Sequence, residues 1–277
     1  MSDQLMPRLR KSTTTVGLIT SLAVGGAGLV GSQIVTPASS ARPRGYLPGL
    51  EALDVIRIVP PAPQREDARD REDRAIFRAT RSLEGSARWA LAQRDDDLSI
   101  AGLFRAFRCA LGVELSTGTA PRVTELLTGS LADTSAVVGR LKDFYKRKRP
   151  FLIDQGPICL PRTEELIKSF DYPSGHTTMS RVVGLLLAEI APDRAADVLA
   201  RARAFGESRV VCGVHTASAV KAGRTAGSAV VAALHSSASF EVALSAARVE
   251  LTALRKKAAL NRASCAADGA TLAVRPY

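Results

Sequence analysis

Three short stretches of this sequence place cations, histidines and a helix-start glycine at spacings that could hold an anion. The first is Lys142-Asp143-Phe144-Tyr145-Lys146-Arg147-Lys148-Arg149-Pro150, at the end of a helical pattern. Lys142 and Arg149 are seven residues apart, about two helical turns, so the spacing predicts that they share a face before Pro150 stops the helix. The second is Tyr172-Pro173-Ser174-Gly175-His176-Thr177-Thr178, which opens an apolar helix. Pro173 and Ser174 are helix-start residues, and a helix start offers free N–H groups to an anion. Gly175 permits close approach to the backbone, and His176 would stand beside the anion with a titratable proton. The third runs from Gly206 through Glu207, Ser208 and Arg209 to Cys212 and His215. Arg209 can grip two oxygens as a fork, with His215 following six residues later. Each stretch alone has a plainer reading: a solvated basic helix end, a simple N-cap with a surface histidine, a structural arginine with a core histidine.

The elements that must position these stretches read as helices. Segments 98–112, 122–148, 174–190, 194–206, 216–235 and 240–262 repeat apolar residues at helical spacing between Gly, Pro, Ser or Asp boundaries. No stretch alternates convincingly at period two, and aromatic residues make up only 5% of the chain, which favours helices over a β-sandwich. Arg65–Arg74 is dense in both signs of charge and reads as a solvated helix face. The expectation is one compact all-α, multi-helix domain over 65–262. A proline-rich irregular lead-in covers 42–64, and a less ordered tail covers 263–277.

The N-terminus reads as a targeting segment. Arg8, Arg10 and Lys11 precede a mostly apolar, Gly-rich run from Val16 to Val35, followed by Thr36-Pro37-Ala38-Ser39-Ser40-Ala41. That layout is a signal peptide over 1–41, and its removal would leave a periplasmic or secreted chain without stable membrane insertion. It would take away three basic residues and Asp3, so most of the formal charge of +11 belongs to the folded part. A basic surplus suits anionic ligands in general but does not choose among them, and no nucleic-acid-binding module accompanies it. Export would let Cys109, Cys159, Cys212 and Cys265 form two disulfides, with three connectivities open. Neither their spacing nor the three histidines match a zinc pattern, and no metal or cofactor is expected.

Together, K-x6-R-P, P-S-G-H and S-R-x5-H resemble the fingerprint of the phosphatidic acid phosphatase type 2 and vanadium haloperoxidase superfamily. More closely, the chain is similar to the bacterial class A non-specific acid phosphatases over about residues 75–250. This likeness includes Phe77-x-x-Thr80-Arg81, Arg88-Trp89, Ala222-Gly223-Arg224 and the helix from Gly227 to His235. The resemblance implies an exported, helical, metal-independent acid phosphatase. Its substrates would be small phosphate monoesters (nucleotides, sugar phosphates, aryl phosphates), with inorganic phosphate as product; homo-oligomerisation is left open. It implies a phosphate clamp of Lys142, Arg149 and Arg209 and a cradle of Ser174 with the Gly175 backbone. His215 would be the nucleophile that forms a phosphohistidine, and His176 the general acid. His235 matches no motif position and reads as structural.

The sequence departs from that pattern at one position. Where the third motif continues with an Asp that orients the nucleophile, this chain has Ala219. A nucleophilic imidazole without an acceptor is expected to lose turnover, by analogy with serine hydrolases. No acidic residue lies between His215 and Glu241, and Glu207 is left as a distant substitute. Two alternatives follow: a catalytically weak or inactive phosphate-binding homologue, and a vanadate-dependent, haloperoxidase-like enzyme. Because Cys159 and Cys212 both flank the implied phosphate site, their pairing is preferred, leaving Cys109 with Cys265.

Overall fold

Local capping chemistry explains where the helices begin. In the computed structural model, which describes residues 44–49, 53–257, 260 and 262–277, the side chains of Asp67, Ser86, Ser99, Thr163, Ser174 and Thr216 each accept a hydrogen bond from the backbone N–H three residues on. The helices are α1 (Val55–Ile58), α2 (Ala68–Thr80), α3 (Ala87–Arg94), α4 (Ile100–Leu111), α5 (Pro121–Tyr145), α6 (Glu164–Lys168), α7 (Gly175–Ile190), α8 (Ala195–Val211), α9 (Ala217–Leu234), α10 (Ala238–Lys257) and α11 (Ala266–Ala273). Among the described residues there is no strand, and the fold is all-α. The expected signal segment, 1–41, lies outside these residues.

Helix α7 is the axis of the packing: it lies against α8 and α9 most extensively, and also against α5 and α10. Its Val182, Val183, Leu186 and Leu187 are buried in a core with Phe205, Val230, Leu234 and Phe240. A smaller apolar cluster of Phe77, Trp89, Phe151, Val211 and Val214 lies at the other end of α8. Fully burying one such side chain stabilises by about 1.5–3 kcal/mol, so these clusters fix the helix ends that carry the motif residues. No single helix among the described residues is long and apolar enough to cross a membrane.

Four sequence expectations meet a different structure. Helix α5 ends at Tyr145; Lys146 adopts a left-handed conformation (φ 47°) and Arg149 is extended (φ −68°, ψ 149°). Lys142 and Arg149 therefore do not share a helix face, although their charges still act on each other. The charged run at 65–74 is not wholly solvated, because Asp70 and Asp73 point inward, with 6% and 2% exposure, as partners of a buried arginine. Within the lead-in, Val55 and Val59 join the main core. Within the tail, α11 follows Cys265, which is bonded to Cys109. The second disulfide joins Cys159 to Cys212 with Cα atoms 4.7 Å apart, the pairing preferred from the motif positions.

Candidate active site

The third motif occupies the end of α8 and the turn after it. Arg209 lies in the last helical turn and is 1% exposed. Gly213 then takes φ 79°, and a Cβ there would lie 2.5 Å from Arg81 Nη1, so glycine is required both by conformation and by space. The turn folds His215 back until its N–H donates to the Arg209 carbonyl at 3.2 Å. Arg81 locks the helix end from outside, donating to the carbonyls of Val210 (2.8 Å) and Val211 (2.7 Å). Arg88 braces the preceding residue by donating to Ser208 Oγ at 2.8 Å. These contacts give structural roles to the Arg81 and Arg88 segments.

The first two motifs converge on this turn. Arg149 Nη1 lies 3.0 Å from His215 Nε2 and donates to the Val214 carbonyl at 2.7 Å. Ser174 caps α7 and is fully buried; its N–H donates to the Ala219 carbonyl at 3.0 Å, which ties the α7 start to the α9 start. Gly223 makes that approach possible, since a Cβ there would lie 2.8 Å from the Ser174 carbonyl oxygen. Lys142 Nζ donates to the Phe170 carbonyl. Burial, and then the Arg149 charge, hold the Lys142 ammonium down at about 8. Burial likewise lowers Arg149 to about 10. Three cations thus crowd one buried place, and Nε and Nη1 of Arg209 are buried without a hydrogen-bond partner among the described residues. Clustered, undersatisfied cations beside a helix N-terminus favour a multivalent oxyanion.

His215 has a defined tautomer in this setting. An arginine N–H can only donate, so Nε2 accepts from Arg149 and Nδ1 carries the proton. That proton goes to Asp171: Nδ1 lies 2.7 Å from its carbonyl oxygen and 3.0 Å from carboxylate Oδ1. Asp171 is fully buried and accepts further from Thr216 N (3.1 Å) and Thr216 Oγ1 (2.7 Å). Burial pushes its pKa up, opposed by the Arg147 charge and the Thr216 donors. Burial, with Arg149, Lys142 and Arg209 around it, holds the His215 pKa well below its usual value, so the imidazole stays neutral.

Asp171 is the residue that sequence reasoning missed. The sequence offers no carboxylate at the motif position after His215 and offers Glu207 before it, whereas the carboxylate that reaches His215 comes from just before Tyr172-Pro173-Ser174. The usable signal was an aspartate abutting one histidine motif in a chain whose other motif lacks one. Glu207 is not the substitute: its carboxylate is 2.7 Å from Arg203 and 3.3 Å from Arg224. Arg147 was hidden in the basic run. It reaches Asp70 (2.9 Å), Asp73 (2.8 Å) and Asp171 (3.3 Å) and so anchors the carboxylate behind His215.

His176 is placed differently. Its Nε2 is 3.0 Å from the Asp96 carbonyl oxygen and 3.3 Å from Asp96 Oδ1, and that same carboxylate oxygen lies 2.9 Å from Arg209 Nη2. Burial and the Arg209 charge lower the His176 pKa to about 4, against the pull of Asp96. His235 lies apart, within hydrogen-bond reach of Glu241 (2.6 Å) and Glu189 (3.3 Å).

The model of the PAP2 superfamily matches residues 124–242, which contain all three motifs. An acid phosphatase of Zymomonas mobilis is 41% identical over 171 residues, 61% of this chain and 65% of that protein. Non-specific acid phosphatases of Salmonella typhi and Providencia stuartii are each 34% identical over 185 residues; the match covers 64% of this chain and 72% of the Salmonella protein, and 66% and 75% for the Providencia protein. The chain belongs to the PAP2 superfamily, and within it to the bacterial acid phosphatases.

Proposed function

We propose that this chain is an exported, metal-independent acid phosphatase that cleaves small phosphate monoesters through a phosphohistidine. The observation that carries the reading is the neutral His215, its Nδ1 proton committed to Asp171 and its Nε2 facing Arg149, with the Lys142 and Arg209 charges also acting on the ring. Lys142, Arg149 and Arg209 hold the non-bridging phosphoryl oxygens, with Ser174 and the Gly175 N–H completing the cradle. Nε2 of His215 forms a bond to phosphorus as the P–O ester bond breaks, and His176, in its protonated form, gives a proton to the departing oxygen and becomes neutral. Water then attacks phosphorus and gives up a proton to the now neutral His176, the P–N bond breaks, and the electron pair returns to Nε2. Clamped cations stabilise the charge spread over the equatorial oxygens in both steps. Asp171 offsets the positive charge that develops on the His215 ring, the task left open by Ala219. This supports a competent enzyme over a phosphate-binding homologue. The two disulfides support folding in an oxidising compartment, periplasmic or extracellular.

Rapid acid quench of the purified chain with a 32P-labelled aryl phosphate tests the reading. Label should be trapped on His215, and His215→Ala should trap none while still binding vanadate. Turnover by His215→Ala at the parent rate would overturn the assignment, and full loss of activity in EDTA would overturn metal independence.

A further inference from the structure

The turn between α3 and α4 contains three consecutive aspartates, Asp95-Asp96-Asp97, of which two are committed elsewhere. Asp95 is buried, paired with Arg201 and accepting from Ser208 Oγ at 2.6 Å. Asp97 accepts from the Ser99 N–H at 2.9 Å and pairs with Arg105. Asp96 alone turns toward the cradle, its Oδ1 shared between Arg209 Nη2 and His176 Nε2 and its side chain 40% exposed. Arg209 keeps Nε and Nη1 for a phosphoryl oxygen, so Asp96 can hold Nη2 while the site is loaded.

We propose that Asp96 sets the charge selectivity of the leaving group, disfavouring phosphoanhydrides and bisphosphates and favouring esters of neutral or cationic alcohols. The inference rests on the phosphatase reading, in which His176 protonates the leaving oxygen. That oxygen must come within hydrogen-bond reach of the His176 imidazole, whose Nε2 is already held by Asp96, so the rest of the leaving group lies near the Asp96 carboxylate. His176 and Arg209 keep this carboxyl ionised, with its pKa down at about 2. A second phosphate on the leaving group meets like charge there, whereas an aminoalkyl group meets its opposite. In a partly screened cleft, one unit charge a few ångströms away changes a rate constant by about tenfold.

The test compares kcat/KM for phenyl phosphate, pyrophosphate and O-phosphoethanolamine in the parent chain, Asp96→Asn and Asp96→Ala. Each ratio to phenyl phosphate cancels effects common to all phosphoryl groups. The pyrophosphate ratio should rise about tenfold in Asp96→Asn, and the phosphoethanolamine ratio should fall several-fold. Equal changes for all three substrates would overturn the proposal and leave Asp96 a general competitor for the phosphate cations. If the parent hydrolyses none of them, the phosphatase reading fails. Calorimetric affinities then decide: the pyrophosphate-to-phosphate ratio should rise in Asp96→Asn, and an unchanged ratio overturns the selectivity role.

Discussion

His215 and His176 sit in contrasting surroundings. The His215 side chain is 2% exposed, and both ring nitrogens are committed, one to Asp171 and one to Arg149. Asp171 is itself held by Arg147 and Thr216, and Arg147 by two further buried aspartates. His176 has 23% of its side chain in solvent and one carboxylate neighbour on a surface turn. An attacking atom must be neutral, aligned and kept from water, which a buried and over-determined setting provides. A proton donor must admit leaving groups of varied shape, which requires an open side. Under the proposed function, the difference would let one fixed phosphoryl site serve alcohols of varied shape.

The comparison is most easily broken at Asp171. Asp171→Asn should lower kcat about 10³-fold or more with little change in KM, because the clamp cations are untouched. Adding Ala219→Asp to that variant should restore part of the loss if the two positions offer the same carboxylate to His215. An Asp171→Asn chain with parental kcat would show that the buried end does not depend on its acceptor.

At the open end the expected effects are smaller and depend on the substrate. His176→Asn should slow alkyl phosphates about 10²-fold, and p-nitrophenyl phosphate much less, since a good leaving group needs little proton transfer. The His176 pKa near 4 gives the sign of the pH dependence: the protonated donor becomes scarcer as pH rises, so kcat/KM should fall on the alkaline side. A bound phosphate dianion raises that pKa, so kcat should fall at higher pH than kcat/KM. In His176→Asn this alkaline limb should flatten; a limb that persists unchanged assigns it to another group.

The smallest effect is expected from Ala219→Asp alone. With Asp171 in place, a second carboxylate at a fully buried position has no task and carries a desolvation cost. Turnover should stay the same or fall, with a lower melting temperature by thermal denaturation. A rise of about tenfold would mean that Asp171 orients His215 poorly.

The helices, the motif cations and both histidines were legible in the sequence because each rests on local physics. Apolar spacing marks a buried helix face, Ser174 and Thr216 mark helix starts, and a glycine such as Gly213 marks a turn. Which carboxylate meets which histidine was not legible, since it depends on side chains far apart in sequence. Asp171 reaches His215 across 44 residues and Asp96 reaches His176 across 80. Spacing likewise suggested that Lys142 and Arg149 meet along a helix face, whereas the helix ends at Tyr145, before Arg149. The charged run at 65–74 looked solvated because sequence shows the sign of a charge but not its partner. The residue types of the candidate phosphate site were therefore written in the chain. Their pairing was decided by the packing of α7, α8 and α9, since only a closed core sets where buried charges find their partners.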